Sequence, residues 1–171
     1  MKPIHSFATS RAVEDVHAEK LDQWLKATYP DMRPATRVEQ FRGIDRVAMS
    51  EQGVVTLDYK CDTRGMSTGR MFLETVSNSV TKRPGWLLTS EADWLVYYVV
   101  PDEVWMFLFA NIRGAIANWR QTYGERSARN EGYDTLGVCV PFSVAATRVE
   151  YVANIHVDGA VLELPDDGVS F

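Results

Sequence analysis

Three ionisable side chains have types and spacing that could support a reaction: Asp45, Asp58 and Lys60. Asp45 follows Gly43 and Ile44 in an apolar run, and Asp58 and Lys60 lie two residues apart in Val54-Val55-Thr56-Leu57-Asp58-Tyr59-Lys60. That second run reads as a β-strand, in which successive side chains point to opposite faces. Asp58 and Lys60 therefore share one face, and Leu57 and Tyr59 share the other. Whether Asp45 joins the acid and the base depends on hairpin register, because Ser50-Glu51-Gln52-Gly53 is the turn between the two runs. A two- or four-residue loop sets Asp45 opposite Asp58 or Lys60 on the same face, and a three-residue loop sets it opposite Tyr59, facing away. The even loop is the expectation. Two carboxylates and an ammonium then converge, which is costly unless a cation binds between the acids. Oxygen ligands completed by water suit Mg²⁺ or Mn²⁺.

These side chains need elements to hold them. Residues 1–10 read as a lead, with Thr9 or Ser10 capping a helix from Arg11 to about Thr28 whose apolar face is Val13, Val16, Leu21, Trp24 and Leu25. On a helical wheel Glu14 falls beside that face, whereas Glu19 and Asp22 point away from it. Pro30 and Pro34 stop the helix. A hairpin of Thr36–Met49 and Val54–Cys61 follows, then a loop over Asp62–Thr68 beside the proposed site. Arg70–Ser77 reads as a third strand with Phe72, Glu74 and Val76 on one side. An acid between two large apolar residues needs a partner, so Glu74 is an accessory ligand or is tied to Lys60 or an arginine. Trp86, after Gly85, reads as a lid on the core or as a surface on which a base stacks.

Further on, the pattern gives a turn or short helix at Thr89–Asp93, a strand at Trp94–Val100 and a returning strand at Val104–Ala110, apolar on both faces as expected under helices. A helix over Asn111–Tyr123 carries Arg113 and Arg120 on its outer flank and ends at Gly124. Val138–Phe142 reads as a strand and Ser143–Val152 as a helix. Periodicity alone supports an α/β or α+β domain.

A chain of 171 residues that is 46% hydrophobic fits one domain over residues 1–171, with an acidic tail over about 158–171. No apolar leader follows Met1 and no apolar run is long enough to span a bilayer, so the expectation is a cytoplasmic protein, in the host cytoplasm if phage-encoded, with no membrane partner. Cys61 and Cys139 have neither metal-ligand spacing nor a disulfide-rich context. The net charge of −5 argues at first against nucleic acid. The charge is uneven, however: residues 1–129 carry 17 basic and 16 acidic side chains, and residues 130–171 carry 1 and 7. Arg64, Arg70, Lys82, Arg83, Arg113, Arg120, Arg126 and Arg129 could meet phosphates, or could be ordinary solvated cations.

An Asp followed 13 residues later by a strand-borne Asp-x-Lys resembles the active-site signature of the PD-(D/E)XK nuclease superfamily, whose members include restriction endonucleases and Holliday junction resolvases. Asp58-Tyr59-Lys60, Phe72-Leu73-Glu74 and Gly85-Trp86 together look like the small phage- and plasmid-type endonucleases of that superfamily, over roughly residues 11–125. Ile44 stands where the name-giving motif has Pro. The resemblance implies a restriction-endonuclease-like core, a central mixed β-sheet flanked by helices. It implies Mg²⁺-dependent hydrolysis of phosphodiester bonds, with DNA favoured over RNA and endonucleolytic cutting favoured. Asp45, Asp58 and the Tyr59 carbonyl would hold the metal, joined by Glu14 on the first helix with Glu19 as second choice. Lys60 would orient the attacking water and neutralise charge in the transition state. Many relatives cut as dimers, and an exposed aromatic supply, such as Trp105 and Phe107, leaves room for a homodimer. The alternatives are a catalytically silent nuclease-like module that binds nucleic acid or assembles a phage or mobile-element complex, and a hydrolase of another phosphate compound. No Walker, HExxH or Gly-x-Ser-x-Gly motif supports the latter.

Overall fold

In the computed structural model, which describes residues 17–155, helix α1 (residues 17–25) buries Leu21, Trp24 and Leu25 against one face of a sheet. The sheet has six strands in the order β1 (Arg33–Pro34), β2 (Arg46–Ser50), β3 (Gly53–Asp62), β6 (Trp94–Val99), β7 (Glu103–Leu108) and β10 (Tyr151–Asn154). Among the described residues β3 and β6 run parallel and the other pairs of this sheet are antiparallel, so the sheet is mixed. Glu14 and the acidic tail lie outside the described residues.

Alternation in the central strands feeds two cores. Leu57 and Tyr59 of β3, with Val96, Tyr98, Val104 and Met106, face α1. Leu95, Tyr97, Val99, Trp105 and Phe107 face the other way. That second face is covered by helix α5 (Phe109–Tyr123), by the short helices α4 (Trp86–Thr89) and α6 (Phe142–Ala145), and by a further sheet. The further sheet is antiparallel, in the order β5 (Arg83–Pro84), β4 (Arg70–Asn78), β9 (Asp134–Pro141) and β8 (Glu125–Arg129).

The central mixed sheet flanked by helices agrees with the expected class, and six details differ from the sequence reading. Within the stretch read as a strand over Thr36–Met49, a Thr36/Glu39 capping box starts a short helix, α2 (Arg37–Phe41), and β2 begins only at Arg46. The stretch read as a loop over Asp62–Thr68 ends in one helical turn, α3 (Gly65–Thr68). The third strand, β4, pairs with β9 instead of joining the central sheet, because Met71 and Leu73 bury themselves against the first sheet's core face. The stretch read as a helix over Ser143–Val152 is one turn of helix and a 3₁₀ turn, followed by β10, whose residues pair with β7. β8 is a strand that the polar sequence Glu-Arg-Ser-Ala-Arg did not announce. Trp105 and Phe107, the aromatics considered for a dimer surface, are 8% and 0% exposed and belong to the core.

Candidate active site

The site rests on the β2–β3 hairpin. Its two-residue Glu51-Gln52 turn pairs Ser50 with Gly53 and Arg46 with Leu57, so the ladder carried one residue further sets Asp45 opposite Asp58. The even loop therefore holds. Asp45 donates its N–H to the Leu57 carbonyl at 2.8 Å, and its Oδ2 accepts the Tyr59 N–H at 2.8 Å. This bond ties the carboxylate to the backbone of the strand that carries the other two groups.

Gly43 makes this approach feasible. Its φ is +75°, and a Cβ there would lie 2.8 Å from the Ser90 Cα, so the chain entering Asp45 lies hard against the residue that follows α4. Ser90 Oγ donates to the Gly43 carbonyl at 2.9 Å and closes the contact.

Asp58 is 1% exposed. Lys60 Nζ donates to its Oδ1 and also to the Tyr59 carbonyl at 3.0 Å, and stands 5.5 Å from the centre of the Trp86 ring. The other oxygen, Oδ2, is buried with no hydrogen-bond partner among the described residues. Burial pushes the Asp58 carboxyl up to about 6, with Lys60 pulling it back and Asp45 pushing it up further. A buried carboxylate with one orphaned oxygen and a second carboxylate opposite is a donor set that fits a small divalent cation. The Tyr59 carbonyl lies on the same stretch but already accepts Lys60. Among the described residues no three His, Cys, Asp or Glu side chains gather as a complete ligand cluster, so the pair would rely on water for its remaining ligands.

The other expected residues fall in different places. Glu19 is exposed on α1, the helix on the Leu57/Tyr59 face of the sheet and thus across it from Asp58 and Lys60. Glu74 accepts the Trp86 N–H on Oε1 at 3.2 Å, at the start of α4. Gly85 lets the two segments touch there, since a Cβ on it would lie 2.5 Å from the Glu74 carbonyl oxygen. Arg113, read as lying on an outer flank, is partly buried: its guanidinium donates to the Leu87 carbonyl at 2.7 Å and to the Ser90 carbonyl. Position 113 is one residue from buried Ile112, and the long side chain folds over Phe109, 4.6 Å from the ring centre. Burial lowers its pKa, and the Asp58 charge draws it back up. It braces the chain behind Asp58 and offers little to a phosphate. Arg120 is exposed and paired with Glu125 at 2.9 Å. Lys82 and Arg83 are exposed on the β4–β5 connection. Arg64, Arg70 and Arg126 are exposed too, and all three pull down the Cys139 thiol, which burial nonetheless raises.

Three residues that build the site or the face behind it escaped the sequence reading. Asp62, two beyond Lys60 in the same alternation, accepts the Tyr97 hydroxyl at 2.6 Å and the N–H groups of Arg64 and Gly65 at 2.8 and 2.9 Å. The period-two pattern that paired Asp58 with Lys60 would have found it. Asp22 does not point away: it holds Arg46 through two bonds of 2.7 and 2.8 Å and accepts the Tyr59 hydroxyl at 3.1 Å. Its place three before buried Leu25 was the available signal. Ser90 had no signal, because only the fold brings it to Gly43.

The fold and site define a mixed α/β protein with a half-buried acid–acid–lysine constellation on one sheet face. No family model, curated protein or solved structure matches the chain. No helix among the described residues is long and apolar enough to cross a membrane.

Proposed function

We propose that the protein is a metal-dependent nuclease of the PD-(D/E)XK type, hydrolysing phosphodiester bonds of nucleic acid, with DNA as the favoured substrate and a restriction-endonuclease-like core. The observation that carries this reading is the convergence of Asp45, Asp58 and Lys60, with Asp58 Oδ2 buried and unpartnered among the described residues. Such a carboxylate is expensive to keep ionised unless a cation shares it.

Asp45 and Asp58 would hold Mg²⁺ or Mn²⁺. When bound, the ion polarises the phosphoryl group and lowers the pKa of a coordinated water. Lys60 stands beside Asp58 and lines the cavity next to the pair, so its side-chain nitrogen is placed to neutralise charge developing on the phosphorane. Asp45, fixed by the Tyr59 N–H, needs no reorganisation before it binds. Exposed Arg64, Arg70, Lys82, Arg83 and Arg126 supply phosphate contacts; Arg113 is withdrawn from that set by its carbonyl bonds.

Cleavage of labelled single- and double-stranded DNA and of RNA, with Mg²⁺, Mn²⁺ or EDTA, tests the reading. Cutting by the wild type that EDTA stops, and that Asp58→Asn and Lys60→Ala each reduce by at least about 100-fold, is the expected outcome. Absence of cutting on every substrate would leave the alternative of a nuclease-like binding module.

A further inference from the structure

Beside Lys60 lies a cavity of about 350 Å³ lined by Lys60, Cys61, Asp62, Phe72, Glu74, Trp86 and Tyr97. It opens between two layers: β3 and β6 supply Lys60, Asp62 and Tyr97, β4 supplies Phe72 and Glu74, and α4 supplies Trp86. Its volume is at the low end of ligand pockets, roughly 300–1,000 Å³, and is enough for one heteroaromatic ring.

The lining is built for a flat ring. Phe72 and Trp86 are half-buried, so each keeps some ring surface open. Tyr97 is 3% exposed and fixed, donating its hydroxyl to Asp62 while accepting the Phe72 N–H at 3.0 Å. The Trp86 ring meets Phe109 edge-on at 6.4 Å between centres, and the Trp86 backbone N–H donates to Glu74, which anchors the start of α4. The aromatic walls are thus rigid, which removes most of the ordering cost of stacking. Asp62 and Glu74 add carboxylates, which accept hydrogen bonds and cannot donate them when ionised.

We infer that this cavity receives one unpaired nucleobase of the substrate strand, next to the phosphate that Lys60 faces, so that the preferred substrate is a strand with an unstacked nucleotide at the cut. This rests on the nuclease reading and narrows its substrate. A base inside a matched duplex must first be unstacked and unpaired, which slows its reaction, whereas a mismatched, bulged or single-stranded base enters at little cost.

Two measurements test this separately from the chemistry. In EDTA, a single-stranded oligonucleotide with one 2-aminopurine is titrated with wild-type protein and with Phe72→Leu, which keeps an apolar side chain but removes the ring. Quenching of the probe by the wild type, with affinity about tenfold weaker for the variant, is expected. No quenching, or equal quenching by both proteins, overturns the cavity as a base site, whatever the cutting assay gives. With Mg²⁺, an oligonucleotide with one mismatched nucleotide is expected to be cut at least about tenfold faster than the matched duplex, and Phe72→Leu is expected to shrink that ratio. Equal rates on both substrates would overturn the inference while leaving the nuclease standing. If neither substrate is cut, the nuclease reading fails and the quenching result alone decides whether the cavity takes a base.

Discussion

The two faces of β3 carry buried charge in opposite ways. On the α1 face, Arg46 is held by both oxygens of Asp22, lies 5.1 Å from the Tyr59 ring centre, and donates to the Asp45 carbonyl at 2.8 Å; Asp22 also accepts the Tyr59 hydroxyl. Each partner there has its bonds. On the opposite face Asp58 is more deeply buried; Lys60 binds its Oδ1, yet its Oδ2 has no hydrogen-bond partner among the described residues. The satisfied cluster locks α1 onto the sheet. The unsatisfied one keeps an acid at an unfavourable ionisation, the arrangement expected where a ligand completes the coordination.

The contrast can be broken from the unsatisfied side first. Lys60→Ala removes the neutralising partner Asp58 has among the described residues and is expected to destabilise the fold by about 3–5 kcal/mol at pH 7.5, as for other buried charges stripped of a partner. Urea unfolding of the purified variant measures it. A loss below about 1 kcal/mol would show that Asp58 is solvated or protonated already.

The next effect is on pH. Because burial raises the Asp58 carboxyl to about 6 in the folded state, well above the ordinary aspartate range, the folded protein binds the proton more tightly than the unfolded chain. The contribution of this group to stability is therefore greatest below about pH 4 and declines as pH rises to about 6, by about 3 kcal/mol at most. Asp58→Asn lacks this slope. The difference in unfolding free energy between wild type and variant, followed from pH 4 to pH 7.5, should shift steadily in favour of the variant. A constant difference would contradict the raised value.

On the α1 side Asp22→Ala breaks three charge-assisted bonds, two to Arg46 and one from the Tyr59 hydroxyl, and is expected to cost about 2 kcal/mol. Denaturation of the variant gives the size. Cutting by the folded fraction should be unchanged, since Asp22 faces away from Asp58. Loss of cutting with retained stability would reverse the roles assigned to the two faces.

Much of this site was legible because strand alternation is local: the pairing of Asp58 with Lys60 and the register of Asp45 follow from period two and a two-residue turn. The long, strongly patterned elements, β3, β6, β7 and α5, were legible for the same reason. What was not legible depends on tertiary contact. β4 could have paired with the first sheet on its own pattern, and only its partner β9, more than 60 residues on, decides otherwise. β10 resembles a helix until β7 offers it an edge. Arg113 sits at the border of the helix's apolar face, and whether such a long side chain turns outward or folds onto Ser90 is set by α4.

The central claim is that Asp45 and Asp58 together hold a divalent cation, and Mn²⁺ titration by calorimetry at pH 7.5 tests it most directly. Wild type should bind Mn²⁺ at this pH, where Asp58 is ionised, and progressively more weakly as pH falls through about 6, because the raised Asp58 carboxyl must lose its proton to coordinate, and Asp58→Asn, shown to be folded by circular dichroism, should bind none at the same site. Equal binding by both proteins, or none by the wild type, would contradict the account.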